Sequence, residues 1–393
     1  MHAPDQLAPA RAGNQPASKL RDRRKNVEIN IGKACNNRCV FCIDGLPKAE
    51  DRSYMPWPQM QAELERFYAD GYRSVGFLGG EPTTYPKICQ SVAYARELGF
   101  TRVAIATNAT KMWRMSFVDR ILAAGLTRVT ISMHGHNAPL EDKLTRVPGN
   151  FDKKVAAIRN LAQRRREDPS VLRDGLSVNI VLNGWNFPHL PRMMRFFYED
   201  MGVDDLRVNF IRPEGYADGD AELTPRYKVV VPQLIKAIVL AETHFQRVFT
   251  FGGFPLCVLP KSLRTNDALL SRYMGEYRDL STACSIRSEG GDLIPPGERP
   301  DPNSWVKGPK SSTVRFDEAE GRARFNWQDR KRHDLKGHPR GCASCDLEPV
   351  CEGVWKGYLE IWGDREFRPV RLADTALAPR PTETNRGADG SAP

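Results

Sequence analysis

Val27-Glu-Ile-Asn-Ile31-Gly-Lys-Ala-Cys35-Asn-Asn-Arg-Cys39-Val-Phe-Cys42 begins as an apolar β-type run and ends in three closely spaced cysteines. The run predicts a strand over Val27–Ile31, and the pattern that follows decides the fold. Further short β-rich runs occur at Ser74–Leu78, Arg102–Ala106, Arg128–Ser132, Leu176–Leu182 and Leu206–Ile211. Helical patterns separate them. In Pro58–Asp70 the apolar residues Met60, Leu64, Phe67 and Tyr68 share one face of a helix, and Gly71 supplies a stop. Lys87–Leu98, Phe117–Ala124, Phe151–Gln163 and Phe187–Met201 read the same way. Six strands alternating with helices imply parallel pairing through right-handed crossovers. The expected fold class is therefore α/β, either a partial (β/α)6 barrel or an open doubly wound sheet.

In both arrangements chemistry gathers at the C-terminal ends of the strands. The first strand runs into the cysteine loop and the second into Gly79-Gly80-Glu81-Pro82. The third ends at Thr107-Asn108, the fourth at Ser132-Met-His134-Gly-His136, and the sixth at Arg212-Pro-Glu214-Gly215. The unusual residues thus fall where such a fold places a site. A long amphipathic helix is expected over Thr224–Gln246. Gly252–Arg340 is poor in periodicity, with a loop expected at Gly290–Pro309.

Composition narrows the class. The chain has 393 residues and a formal net charge of +10. Its basic residues are dispersed, so a solvated basic surface is the expected meaning of the charge and nucleic acid is not an expected partner. No apolar run reaches the ~18 residues of a membrane span. Met1–Leu20 lacks the apolar core of a signal peptide, so a cytoplasmic location is expected. Nine cysteines, an odd number, argue against a disulfide framework. Six of them form two tight clusters, and clustered thiols point to metal.

The first cluster has the spacing C-x3-C-x2-C. Three thiolates can bind three irons of a [4Fe–4S] cube and leave the fourth without a protein ligand. A zinc site would want four ligands and a more distant second pair. An electron-carrier cluster would want a fourth cysteine close by. Incidental buried thiols explain one cysteine more readily than three within eight residues.

Cys35-x3-Cys39-x-Phe41-Cys42, with its aromatic residue before the last cysteine, resembles the signature of the radical S-adenosylmethionine (SAM) superfamily. The resemblance implies that SAM chelates the open iron and is cleaved to methionine and a 5′-deoxyadenosyl radical. Gly79-Gly80-Glu81-Pro82 resembles the family's GGEP element, which implies a backbone close to SAM and a Glu81 carboxylate accepting from its ammonium group. The alternative is a Gly-rich turn with an acid near a helix start. Thr107-Asn108-Ala109-Thr110 is similar to a TNG-like turn, with Ala109 where Gly is common. By position, Ser132 resembles a SAM contact. Asn179 and Asn183 are polar in or beside a parallel strand, where apolar residues are the norm, and are candidates for ribose. Gly215 is a candidate for adenine space. His134, His136, Arg212 and Glu214 are candidates for substrate, or simply loop residues. Cys89 reads as a buried thiol.

Cys342-Ala-Ser-Cys345-Asp-Leu-Glu-Pro-Val-Cys351-Glu-Gly353 resembles the core of SPASM and twitch extensions, which hold auxiliary [4Fe–4S] clusters. The match is partial. Trp355 stands where the SPASM core has a further cysteine, and no cysteine follows Cys351. One auxiliary cluster then needs a fourth ligand. Cys257 is the first choice and Cys284 the second. A zinc site completed by His338 is the alternative.

The expected organisation is a disordered lead-in over 1–25, a radical SAM partial barrel over 26–222, a helix and irregular link over 223–340, an auxiliary-cluster region over 341–371 served by Cys257, and a disordered tail over 372–393. The expected function is that of a radical SAM oxidoreductase modifying a peptide or protein, the alternative being a radical step on a small molecule. A non-catalytic iron–sulfur or zinc protein is the reading from another class. An electron donor such as flavodoxin or ferredoxin is the implied partner.

Overall fold

The computed structural model describes residues 26–43, 53–264, 266–274, 282–287, 315–317 and 321–371. The expected lead-in, the expected tail and the loop at 290–309 lie outside the described residues.

The chain alternates from its first described residue. Strand β1 (Asn26–Asn30) is followed by α1 (Trp57–Ala69), β2 (Ser74–Leu78), α2 (Ile88–Leu98), β3 (Arg102–Thr107), α3 (Met115–Ala123) and β4 (Arg128–Ser132). Two helices, α4 (Ala138–Thr145) and α5 (Asn150–Glu167), precede β5 (Leu176–Leu182). Then come α6 (Leu190–Arg195), β6 (Asp205–Phe210), α7 (Tyr227–Leu240) and β7 (Thr250–Gly252). Strands β1 to β7 lie side by side in chain order, all parallel. This matches the expected α/β class and a partial barrel.

Burial explains the register. Val27 and Ile29, Val75 and Phe77, Val103 and Ile105, Val129 and Ile131, and Val178 and Ile180 are all fully buried, on one face of the sheet. The other face carries Glu28, Asn30, Gly76, Thr130, Ser132, Asn179 and Asn209, none of them fully buried. Period-two alternation is unusual for parallel strands, which are normally covered on both sides. Here one face packs under the helices, and the opposite face is lined by small and polar side chains.

Beyond β1 the structure adds what the sequence pattern did not indicate. Strand β8 (Thr282–Arg287) pairs parallel with β1, β10 (Arg322–Asn326) pairs antiparallel with β8, and β9 (Arg315–Asp317) pairs antiparallel with β10. The sheet therefore has ten strands among the described residues, edged by β7 and β9. Polar residues hold the added strands. Glu63 of α1, 1% exposed, pairs with Arg324 and accepts from the Ser285 hydroxyl. Arg322, 2% exposed, donates to the carbonyls of Ser285 at 2.7 Å and Asn30 at 3.2 Å. These buried charges lack the apolar period that announces a strand, which is why the segment reads as irregular. A short hairpin, β11 (Lys336–Gly337) with β12 (Val354–Trp355), and a last helix, Lys356–Trp362, carry the C-terminal cysteines. Tyr358 and Phe367 pack on Tyr227 of α7.

Candidate functional site

The cysteine loop leaves β1 through Gly32, at a φ of +147°. A side chain there would meet the Ser53 carbonyl at 2.3 Å. The loop rests on the end of α4, where the Arg38 and Val40 N–H groups donate to the carbonyls of Thr145 and Leu144 at 3.0 and 2.9 Å. The Asn150 amide donates to Asn37 at 2.8 Å, fixing the loop's centre. Cys35 is exposed, and Cys39 and Cys42 are half-buried. The Asn37 N–H points at the Cys35 sulfur at 3.4 Å. Burial pushes the Cys39 thiol up to about 12, with the Lys154 charge opposing. Such a sulfur carries a full negative charge only when a cation takes it.

The glycines after β2 have a structural explanation. A side chain on Gly79 would meet the Gly32 carbonyl at 2.5 Å, and one on Gly80 the Ala34 carbonyl at 2.4 Å. They let the second loop lie against the cysteine loop, joined by Gly80 N–H to Gly32 O and Glu81 N–H to Ala34 O, both 2.8 Å. Pro82 opens a single buried 3-10 turn.

Glu81 is 2% exposed and takes four donors from its own chain. They are the Thr83 N–H at 2.9 Å, the Thr83 and Thr107 hydroxyls at 2.5 Å, and the Asn108 N–H at 2.6 Å. The Asn108 amide donates in turn to Asn36 in the cysteine loop at 2.8 Å. Ala109 holds a φ of +59°, the left-handed conformation that glycine adopts without cost. The first three strand ends are therefore one hydrogen-bonded unit.

Ser132 and Asn179 are register neighbours on β4 and β5, and Asn179 accepts from Asn209 of β6 at 2.8 Å. Asn183 is fully buried and spends its amide on Val181 and Trp185, a turn-forming role. Gly215 packs on the cysteine loop, since a side chain there would meet the Cys42 carbonyl at 2.4 Å. Phe41 lies edge-on to His134, with ring centroids 4.5 Å apart. Arg212 pairs with Glu214. His136 neighbours His189, with ring centroids 5.5 Å apart.

His134 is 2% exposed, and its Nδ1 accepts from the Val181 N–H at 3.0 Å. Burial first, and the Lys154 charge second, hold it well below its usual 6.5. The sign follows. The unfolded chain takes up a proton below pH 6.5 that the folded chain refuses, so stability is full above that pH and falls as the pH drops. The expected loss is about 1–2 kcal/mol by about pH 5. Urea unfolding of the wild type and His134→Asn checks this, the variant showing the shallower pH dependence.

Cys257, Cys342, Cys345 and Cys351 line one cavity, together with His338, Glu348 and Arg368. Cys257 arrives on a short turn after β7, and the other three follow β11. Two sulfurs face backbone donors: Cys351 the Gly353 N–H at 3.4 Å, and Cys345 the Val370 N–H at 3.3 Å. Burial first, and the neighbouring cysteines second, raise the Cys342 thiol to about 12. The His338 Nε2 lies 3.2 Å from the Cys351 carbonyl. Cys284 is elsewhere, buried on β8 between Glu28 of β1 and Phe325 of β10. Among the described residues, no three His, Cys, Asp or Glu side chains are drawn together closely enough to hold a metal ion as they stand. The four thiols share a cavity without converging on one point.

Both donor sets suit iron–sulfur groups by their chemistry. They are soft thiols with backbone N–H groups aimed at sulfur, in loops fixed from behind. Sequence reading missed Asn37, which fills a variable position of the cysteine spacing, and Asn150 and Lys154, which belong to no motif. The only signal was a lysine on the apolar side of a helix.

A family model described as the radical SAM superfamily matches residues 29–197. The chain is 27% identical over 203 residues to the AdoMet-dependent heme synthase of Methanosarcina barkeri, covering 50% of this chain and 53% of that protein. It is 27% identical over 215 residues to the GTP 3′,8-cyclase of Marinobacter nauticus, covering 49% and 59%. It thus spans little more than half the length of these relatives. Streptococcus suis SuiB bound to S-adenosylmethionine superposes with a TM-score of 0.53 at 16% identity, over 90% of this chain and 79% of that one. That likeness concerns the fold.

Proposed function

We propose, for a chain whose residues 29–197 are a radical SAM domain, that it performs a radical step on a small molecule in cofactor or natural-product biosynthesis. The observation carrying the radical step is the unit formed by the cysteine loop, the Gly79-Gly80-Glu81 turn and Asn108, at adjoining ends of parallel strands. The sequence placed a peptide or protein substrate first. The relatives change that order, because their names are those of a heme synthase and a GTP cyclase.

Cys35, Cys39 and Cys42 hold a [4Fe–4S] group in this reading. When bound, that group supplies an electron that splits SAM into methionine and a 5′-deoxyadenosyl radical. The chain's own work is to hold and orient. The exposure of Cys35 leaves one side of the loop open to SAM. Glu81 fixes the Asn108 turn beside the loop and offers its carboxylate to the SAM ammonium. Ser132 and Asn179 face the sugar from the polar side of the sheet, and Phe41 packs the loop onto His134. Cys257 completes a four-thiolate auxiliary site with Cys342, Cys345 and Cys351, separate from the SAM site.

Glu81→Ala is expected to weaken SAM binding about 10- to 150-fold, equivalent to a lost charge-assisted hydrogen bond of about 1.5–3 kcal/mol, with iron content unchanged. Calorimetric titration with SAM measures it. An unchanged affinity would return Glu81 to a turn-holding role alone.

The substrate class is tested by SAM cleavage under reducing, anaerobic conditions with GTP, an iron tetrapyrrole or a tryptic peptide pool as probes. Faster 5′-deoxyadenosine formation with either small molecule supports the reading. Stimulation by peptides alone restores the peptide reading.

A further inference from the structure

The loop after β6 touches both cysteine-bearing regions. On one side the Tyr216 N–H donates to the Cys42 carbonyl at 3.1 Å. On the other, a side chain on Gly357 of the last helix would meet the Pro213 carbonyl at 2.2 Å. Arg212 opens this bridge. It is 9% exposed, and its guanidinium lies 5.7 Å from the ring of Trp355 on β12. Its carboxylate partner, Glu214, is two residues along the same loop and 31% exposed. Trp355 is 6% exposed, and among the described residues nothing accepts from its Nε1–H. A buried N–H without an acceptor is rare, because it gives up its bond to water and gains none. That N–H sits at the end of β7, where a side chain on Gly253 would come within 3.2 Å of Nε1. A cation and an unsatisfied donor thus meet where β6 and β7 end.

We propose that Arg212 and the Trp355 indole N–H form an oxyanion subsite that takes a carboxylate or phosphate of the small-molecule substrate, with Glu214 standing in for that group in the free chain. The proposal rests on the functional reading above and adds the substrate's charge to it. The guanidinium offers paired donors to two oxygens of such a group. The indole N–H adds one directional donor and accepts nothing in return. Glu214, the more exposed partner of the pair, turns outward when the ligand's anion replaces it. The anionic end of the substrate is then held on the loop that reaches both the cysteine loop and the last helix.

Arg212→Gln, Arg212→Lys and Trp355→Phe are made in the full chain and loaded anaerobically with iron and sulfide. Equilibrium dialysis compares GTP with guanosine, which reports on phosphate, and an iron tetrapyrrole with its methyl ester, which reports on carboxylate. The wild type is expected to bind the charged member of one pair at least about tenfold more tightly than the neutral one. Arg212→Gln should weaken that charged probe about 10- to 100-fold and Trp355→Phe about three- to tenfold, with the neutral probe unchanged. Arg212→Lys should recover part of the loss, since it keeps the charge but not the fork. SAM affinity should stay at the wild-type level in all three variants. No binding, or equal affinity for charged and neutral members of both pairs, overturns the proposal. So does a charged-probe affinity that Arg212→Gln and Trp355→Phe leave unchanged. Loss of SAM affinity in both variants with native circular dichroism also overturns it, because the two residues then serve the cysteine loop. A wild type that fails to cleave SAM with dithionite defeats the functional reading instead, whatever the dialysis shows.

Discussion

Simultaneous replacement of Cys35, Cys39 and Cys42 by alanine is expected to reduce 5′-deoxyadenosine formation to background. The reaction is anaerobic, with dithionite and SAM, and the product is followed by chromatography. The three cysteines are the only ones in their loop, and Cys89, the next in sequence, lies on α2. No further cysteine occurs before Cys89 to replace a missing thiolate, so the loss should be complete rather than graded. The loop itself should survive, since its anchors are backbone bonds to α4 and the Asn37–Asn150 amide pair, none of which uses sulfur. Continued cleavage by a folded triple variant would remove the basis of the proposed function.

The second large effect concerns the cavity at the other end of the chain. The wild type is expected to hold about eight irons, as two [4Fe–4S] groups, and the triple variant about four. Cys257→Ala should strip the remaining four or leave them labile. Cys284→Ala should leave the count unchanged, because that thiol is buried on β8 beside Glu28 and does not line the cavity. Iron and zinc analysis with Mössbauer spectra reads both. Four irons and one zinc would replace the second cluster by a zinc site, for which His338 on the same cavity wall is the candidate extra ligand. Iron lost from Cys284→Ala and kept by Cys257→Ala would make the cavity irrelevant to the metal. Loss of the auxiliary group should block product formation more than SAM cleavage.

How far these sites could be read beforehand depended on whether a residue's meaning is local. Cys35, Cys39 and Cys42 speak through spacing within one loop, and the strands through short-range apolar pattern. Both were legible. Glu81 was legible as the acid of the Gly-Gly-Glu-Pro turn. Its four partners were not, since Thr107 and Asn108 reach it only after a crossover brings β3 beside β2. Gly79, Gly80 and Gly215 looked like room for a ligand, and the structure fills that room with backbone of the cysteine loop. Lys154 gave only a weak signal, its place on the apolar side of a helix, because a lysine in a helix is ordinarily at the surface. The strands beside β1 escaped for a related reason. Their stability comes from Arg322, Arg324 and Glu63, pairs separated by more than 200 residues, as in the 261 between Glu63 and Arg324.

That last separation bears on how the molecule is made. Among the described strands β1 is made first, with the cysteine loop directly behind it. Its partner β2 follows within about fifty residues, while β8, on its other flank, comes some 250 residues later. Through most of synthesis, one side of β1 therefore offers unpaired backbone groups to any passing strand. Glu63, meanwhile, waits on α1 for an arginine not yet translated. The nascent chain has reason to be sheltered during that interval. The step that seals it is the docking of β8 and β10, which also brings the Arg322 guanidinium onto the Asn30 carbonyl at the foot of the cysteine loop. The strands that cover this flank of β1 thus also supply a hydrogen bond to the last residue of the strand that leads into the loop.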